Sequence, residues 1–190
     1  MFTSPLAAQN GEQDILMATQ KVTGIYKTFK EFRTNSPSIT GQIKVTQKKV
    51  KLLNNQTGEY ETYIGEKWGA CVNDTVYFFQ ERLEVRNKPH FYKFRFLGRY
   101  CFFEDYGMYS IVPGVGSPLY PYDFEFVLNV NNGKLYKLDK KIMRTILSKD
   151  QELLAEFEKE LFKGRSFEEY IRKFNERNPQ DIKPIAEIVE

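Results

Sequence analysis

His90-Phe91-Tyr92-Lys93-Phe94-Arg95-Phe96 decides how the chain is read. Successive strand residues point to opposite faces, so Tyr92, Phe94 and Phe96 share one face and Lys93 and Arg95 the other. The stretch sits inside an aromatic run from residue 68 to residue 109 that is too irregular for a helix. A sheet with one dry face is therefore expected at the centre of the molecule. Aromatic residues make up 15% of the 190 positions, with 12 Tyr and 16 Phe. Such rings favour strands and bury large apolar areas, which strengthens the expectation of a sheet-rich core.

Working outward, Gly98 interrupts the pattern before Arg99-Tyr100-Cys101-Phe102-Phe103, and a glycine inside a strand pattern marks a bulge or bend. On the N-terminal side, Trp68-Gly69-Ala70-Cys71-Val72 and Val76-Tyr77-Phe78-Phe79 flank the turn Asn73-Asp74-Thr75. Trp68 reads first as a core anchor and second as a ring that could stack on a ligand. Residues 43–53 alternate and carry Lys44, Lys48, Lys49 and Lys51. With residues 59–64 across the turn Asn54-Asn55-Gln56-Thr57-Gly58 they read as a two-stranded hairpin. Lysine on a strand guards an open edge, and that is the reading preferred over a basic patch. Further upstream, Ile25, Phe29 and Phe32 have helical spacing, with Thr28 and Glu31 placed as in a capping box and Asn35 and Pro37 as stops.

Residues 108–122 hold Pro113, Gly114, Gly116, Pro118 and Pro121 and read as a loop. Its Gly114-Val115-Gly116-Ser117 lacks the lysine, strand and helix that make a phosphate cradle. Tyr106, Tyr109, Tyr120 and Tyr122 lie at or near the ends of this loop. Together with Trp68 they are the candidate ligand-binding residues, because loops carry function disproportionately. Cys71 and Cys101 fall on different strands. A bridge between them would close a loop worth about 3.5 kcal/mol in the chain-entropy model, but strand cysteines often have poor bridging geometry, which favours two buried thiols.

The C-terminal third begins with a hairpin, residues 124–130 and 134–138 around Asn131-Asn132-Gly133. Asp139 caps a helix with Ile142, Met143 and Ile146 inward, and Ser148 with Gln151, or Asp150 alone, opens a second bearing Leu153, Leu154, Phe157 and Leu161. Gly164 ends that helix. Ser166 with Glu169 opens a third bearing Phe167, Tyr170, Ile171 and Phe174, stopped by Asn178-Pro179. The fold class is α+β: a curved antiparallel β-sheet or partial barrel with a short N-terminal helix and two to three C-terminal helices. Residues 1–21 are expected to be a leader with little fixed structure, residues 22–178 one domain, and residues 179–190 a tail.

Residues 1–9, Met-Phe-Thr-Ser-Pro-Leu-Ala-Ala-Gln, read like the end of a secretory signal peptide, with small residues at Ala7 and Ala8, but without a basic n-region or a full apolar h-region. A longer signal or an accidental likeness are the two readings. The combination of Gly24-Ile25-Tyr26, Asn35-Ser36-Pro37-Ser38, Lys67-Trp68-Gly69, Leu97-Gly98-Arg99-Tyr100, Asn129-Val130-Asn131-Asn132-Gly133-Lys134, Leu153-Leu154 with Phe157, and Tyr170-Ile171 before Asn175-Glu176 resembles a domain-of-unknown-function family of exported Bacteroidetes proteins over residues 22–178. The resemblance implies export, to the periplasm or cell surface, and a small antiparallel sheet with C-terminal helices. It transfers no catalytic residue.

No reaction is legible. The one histidine, His90, has no nucleophile beside it in sequence, and one His with two separated Cys is no metal-ligand cluster. Catalytic, metal and cofactor residues are accordingly assigned to none. A net charge of +3 does not select nucleic acid as a partner, and no run approaches the roughly 18 apolar residues of a membrane span. The expected function is a non-enzymatic envelope protein with a binding or scaffolding surface, its partner another envelope protein or a small ligand. One alternative is single-stranded nucleic acid on a strand bearing Tyr92, Phe94, Arg95 and Arg99, which needs exposed rings. The other is an unrecognised carboxylate-dependent hydrolase, which needs Glu104 and Asp123 in one cleft.

Overall fold

Two runs, Tyr100-Cys101-Phe102-Phe103 and Phe126-Val127-Leu128, are apolar without alternation, as suits strands covered on both faces. In the computed structural model, which describes residues 13–84, 88–109, 118–160 and 167–187, these runs lie opposite each other in a long antiparallel hairpin. The chain order is β1 (Gly24–Tyr26), α1 (Phe29–Arg33), β2 (Ile39–Thr40), β3 (Ile43–Val45), β4 (Val50–Leu53), β5 (Tyr60–Thr62), β6 (Gly69–Val72), β7 (Thr75–Gln80) and β8 (His90–Lys93). The hairpin β9 (Tyr100–Tyr109) and β10 (Tyr120–Asn129) follows, then β11 (Lys134–Lys137) and the helices α2 (Lys140–Leu147), α3 (Gln151–Glu160) and α4 (Phe167–Arg177). The architecture is α+β, as expected. The strands are shared among three antiparallel sheets, ordered β2-β1-β6-β7-β8, β11-β10-β9 and β3-β4-β5, none closed into a barrel.

These sheets and helices stack in layers. One face of the five-stranded sheet, through Tyr26, Cys71, Phe78 and Tyr92, packs on Cys101, Phe103, Phe126 and Leu128 of the β9–β10 hairpin, with Phe32 of α1 in the same cluster. The other face of the hairpin, through Tyr100, Phe102 and Val127, is covered by Met143, Leu147, Leu153, Phe157, Tyr170 and Phe174 of the helices. The small β3-β4-β5 sheet closes the far side, where Ile43 and Val50 meet Ile25, Ala70 and Phe91. The residues after β8 join two sheets. Phe94 N–H still donates to the Val76 carbonyl at 3.0 Å, but Arg95 N–H donates to the Phe102 carbonyl at 2.8 Å.

Several local expectations hold for the stated reasons. Thr28 Oγ1 accepts from Glu31 N–H at 3.1 Å, while the Glu31 carboxylate accepts from Lys27 N–H at 2.8 Å, one residue earlier than in a capping box. Asp139 caps α2 through Ile142 N–H at 2.7 Å, and Asp150 caps α3 through Leu153 N–H at 3.0 Å. Gly133, at φ 66°, takes the left-handed position of the β10–β11 loop. Gly98 sits where a side chain would collide with Asn175. That contact lets the Asn175 amide pair with both backbone groups of Tyr100, at 2.9 and 3.0 Å, and so finish the start of β9.

Other expectations are corrected. Ile25 belongs to strand β1 and not to the helix, which begins only after Thr28 and runs five residues. The alternating stretch from 43 to 53 folds back on itself at a turn over residues 46–49, so that three strands replace the hairpin. Residues 108–109 and 120–122, expected in a loop, extend β9 and β10. Tyr92 and Phe94 are buried beneath the second sheet, whereas Phe96, expected on the same face, packs on the helical side. Cys71 and Cys101, by contrast, are the free, buried thiols that were favoured over a bridge; they lie on strands of different sheets, and burial pushes their pKa values up to about 11 and about 12. The Gly114-Val115-Gly116-Ser117 segment, Leu161, Gly164, Ser166 and residues 1–9 lie outside the described residues.

Residues on both flanks of the expected domain are tied to it by one charge. Arg33 is fully buried, and its guanidinium binds the Asp14 carboxylate at 2.6 Å, the Val130 carbonyl at 3.0 Å and the Lys183 carbonyl at 3.4 Å. Burial lowers the Arg33 pKa and Asp14 opposes that shift. Ile15 is buried nearby, and Asn35, at φ 50°, accepts from Val22 N–H at 2.9 Å. Asp14 and Ile15 are thus fixed where little structure was expected. Breaking a buried ion pair from one side strands the other charge. Asp14→Ala is therefore expected to lower unfolding stability by about 3 kcal/mol in chemical denaturation, and a loss below about 1 kcal/mol, the scale of an exposed pair, would contradict the staple.

Candidate binding surface

Beyond Asp105 and Phe124 the β9–β10 hairpin leaves the layers. Its register continues through Tyr106↔Asp123, Gly107↔Tyr122, Met108↔Pro121 and Tyr109↔Tyr120. β11 pairs with β10 only from Phe126 to Asn129, so the outer half of β10 has β9 as its one strand neighbour among the described residues. A proline is tolerated there because it need not donate on the open side, and this explains why Pro121 extends a strand when its composition suggests a loop.

The ribbon carries most of the exposed apolar surface. Six large hydrophobic side chains are exposed among the described residues, and Tyr106 at 69%, Met108 at 56%, Leu119 at 60% and Tyr120 at 44% are four of them. From Tyr106 to Tyr122 the sequence runs 17 residues without a charge. Cross-strand partners share a face, so Tyr106 and Met108 lie on the face that continues the helix-covered side, with Asp123 and Pro121. Tyr122 lies on the opposite face, its ring against Gly107 and stacked on Phe124 with centroids 5.3 Å apart. Of the five candidates, the structure thus gathers Tyr106, Tyr109, Tyr120 and Tyr122 on one ribbon but divides Tyr106 from Tyr122 by face. Trp68 is elsewhere, in the core, stacked on Phe32 at 4.6 Å and beside Phe78 at 5.0 Å.

No family model, no curated protein and no solved structure matches the chain significantly. The geometry therefore carries the argument alone.

At the foot of the ribbon a cavity of about 400 Å³ opens between the residue 45–47 turn, the β8 edge and β9, lined by Gln47, His90, Tyr92, Lys93, Arg95, Glu104 and Tyr106 among others. Its polar groups are engaged in structure. Tyr92 Oη donates to Asp105 at 3.4 Å, and the His90 ring lies 4.6 Å from that of Tyr92. Arg95 bridges Glu104 at 3.1 Å and Glu168 at 2.5 Å. Burial raises the Glu104 pKa; Arg95 opposes this, and Asp123, Glu168 and Glu125 add to it. Asp123 shares the ribbon face with Glu104 but does not line this cavity. The two carboxylates the hydrolase reading needs are not brought into one cleft there. Among the described residues no group of three or more His, Cys, Asp or Glu is placed to hold a metal. Tyr92 and Phe94 are buried, so the ring face offered to nucleic-acid bases is not at the surface.

Met108 and Leu119 were not among the candidates. The signal that could have found them is the uncharged run itself, which reads as a surface only once the strands are known to continue. The Glu104 shift supplies a test. A carboxyl whose pKa rises on folding stabilises the fold less as pH climbs above the ordinary carboxylate value. The stability difference between Glu104→Gln and the parent should therefore move in favour of the variant as pH rises from about 4 to 6. Thermal unfolding across that window checks it, and a difference that stays flat or moves the other way contradicts the assignment.

Proposed function

We propose that the protein is a non-enzymatic binding protein of the cell envelope and that the β9–β10 ribbon is its contact element. The carrying observation is the concentration of Tyr106, Met108, Leu119 and Tyr120, all exposed, on a ribbon that projects past its own layers. Tyrosine and methionine are enriched at the cores of protein interfaces, the first for its large rigid ring and the second for its adaptable thioether. Lone exposed hydrophobics are ordinary, whereas several gathered on one short ribbon, here Tyr106 and Met108 on one face and Tyr120 on the other, signal contact. The partner that fits is a protein surface with an apolar groove able to accept a two-stranded ribbon. Neither cysteine is an activated nucleophile, since both thiols are buried with raised pKa values. The envelope location rests on the family resemblance drawn from the sequence. None of the described helices is long and apolar enough to cross a membrane.

A photo-crosslinking amino acid at position 108 tests the reading in cells making the full chain. The expected result is a discrete adduct that is missing when the same group is placed at the exposed position 159 and that Tyr106→Ser abolishes. Tyr106→Ser should change stability by no more than about 0.5 kcal/mol, as at other surface sites. Equal crosslinking at positions 108 and 159 would refute the ribbon as contact element.

A further inference from the structure

A second surface stands apart from the ribbon, on the outer face of the β3-β4-β5 sheet. Between Arg33 and Glu59 the sequence contains Lys44, Lys48, Lys49 and Lys51 and no acidic residue. Ile43 and Val50 face inward onto the five-stranded sheet, so Lys44 and Lys51, which alternate with them, face outward. They stand directly opposite each other in the β3–β4 register, an arrangement of like charges that works against the sheet. Lys48 and Lys49 are exposed in the turn that joins these strands. None of the four forms an ion pair with a described residue, although such pairs are numerous elsewhere.

Edge protection, the role expected from the sequence, suits Lys44 on the edge strand β3 but does not account for Lys51. β4 is the central strand of its sheet, so Lys51 guards no edge. Glu61, on the adjacent strand β5, accepts from the Asn54 amide at 2.8 Å. Beside the lysines, Tyr63 N–H donates to the Val50 carbonyl, which places the next residue, Ile64, at the turn end of the sheet. Ile64 is 91% exposed, more than any other large hydrophobic described.

We propose that this face docks on the surface of an anionic lipid bilayer. Charge complementarity selects the occupant, and the residue types narrow it. All four cations are lysines, with no arginine between Arg33 and Arg82. Lysine is a compact point charge suited to a diffuse negative field, whereas bidentate recognition of individual phosphates favours arginine. Base stacking, which a single-stranded nucleic acid would need, finds no open ring here, because the Lys44 ammonium covers the Tyr60 ring at 3.8 Å. An exposed aliphatic side chain next to clustered lysines matches peripheral membrane contact, in which apolar insertion adds to electrostatic attraction.

Co-sedimentation of the full chain with phosphatidylcholine vesicles, with and without phosphatidylserine, tests the proposal. Binding is expected only with phosphatidylserine and should weaken as salt rises. At about fivefold per lysine, the double variant Lys44→Gln, Lys51→Gln should bind about 25-fold more weakly, with an unchanged or higher thermal midpoint. Ile64→Ser should weaken binding further, and Tyr106→Ser should leave it unchanged, which separates this surface from the ribbon. No binding to phosphatidylserine vesicles, or equal binding by the double variant, would overturn the proposal. So would lysine-dependent binding of a single-stranded oligonucleotide without vesicle binding.

Discussion

Phe102 and Phe103 are adjacent in sequence, project to opposite faces of β9 and have no exposed surface. This one pair requires an apolar layer on each side of the hairpin, and the rest of the chain supplies them. On the Phe103 side, Phe126 stacks alongside at 5.3 Å and Tyr92 at 5.1 Å, and Phe78 and Phe94 complete a cluster that reaches Phe32 and Trp68. On the Phe102 side, Phe96 stacks at 5.4 Å and the helices close over the rest. Truncation of a ring so enclosed typically costs about 3–5 kcal/mol, because both the transfer energy and the packing are lost.

The same hairpin explains where function could lie. Its inner half is covered on both faces and its outer half on few. The change occurs at Glu104 and Glu125, which face each other across the strands at the point where the helical cover ends. Glu104 is held there by Arg95, itself on the crossover that links two sheets. The ion pairs of Arg95 with Glu104 and Glu168 thus form the polar boundary of the core on the helical side, and the ribbon beyond them carries the exposed side chains of Tyr106, Met108 and Tyr120. At the opposite end, Arg33 binds Asp14, Val130 and Lys183 together, so the segments flanking the sheets contribute to the core instead of trailing from it.

Much of this was legible in the sequence. The apolar runs on either side of Asn73-Asp74-Thr75 and the alternation from His90 located β6, β7 and β8 of the five-stranded sheet, Thr28, Asp139 and Asp150 marked helix starts, and Asn131-Asn132-Gly133 marked a hairpin. The misreadings have physical causes. Pro121 looks like a loop residue because proline is rare in strands, yet a ribbon with one strand neighbour has an open side where the missing donor is harmless. The turn over residues 46–49 contains neither Gly nor Pro and is held by Thr46 Oγ1, which accepts from Lys49 N–H at 3.2 Å, so composition gave no sign of it. Periodicity showed that Tyr92 and Phe94 face inward but could not say which layer lies above them, because a sheet and a helix pair offer the same apolar cover. The four candidate tyrosines fall on one ribbon, but their division between two faces was not legible, since that depends on strand register.

Amide hydrogen exchange of the native protein tests this account most directly, because exchange reads how far each strand is held by its layers. Amides of residues 100–103 and 126–129 should be the slowest in the molecule, and protection should fall sharply past Glu104 on β9 and before Phe124 on β10. Uniform protection along the whole hairpin, or faster exchange at its inner half than in β3 and β5, would contradict the claim that the doubly covered half of β9–β10 is what the other layers assemble on.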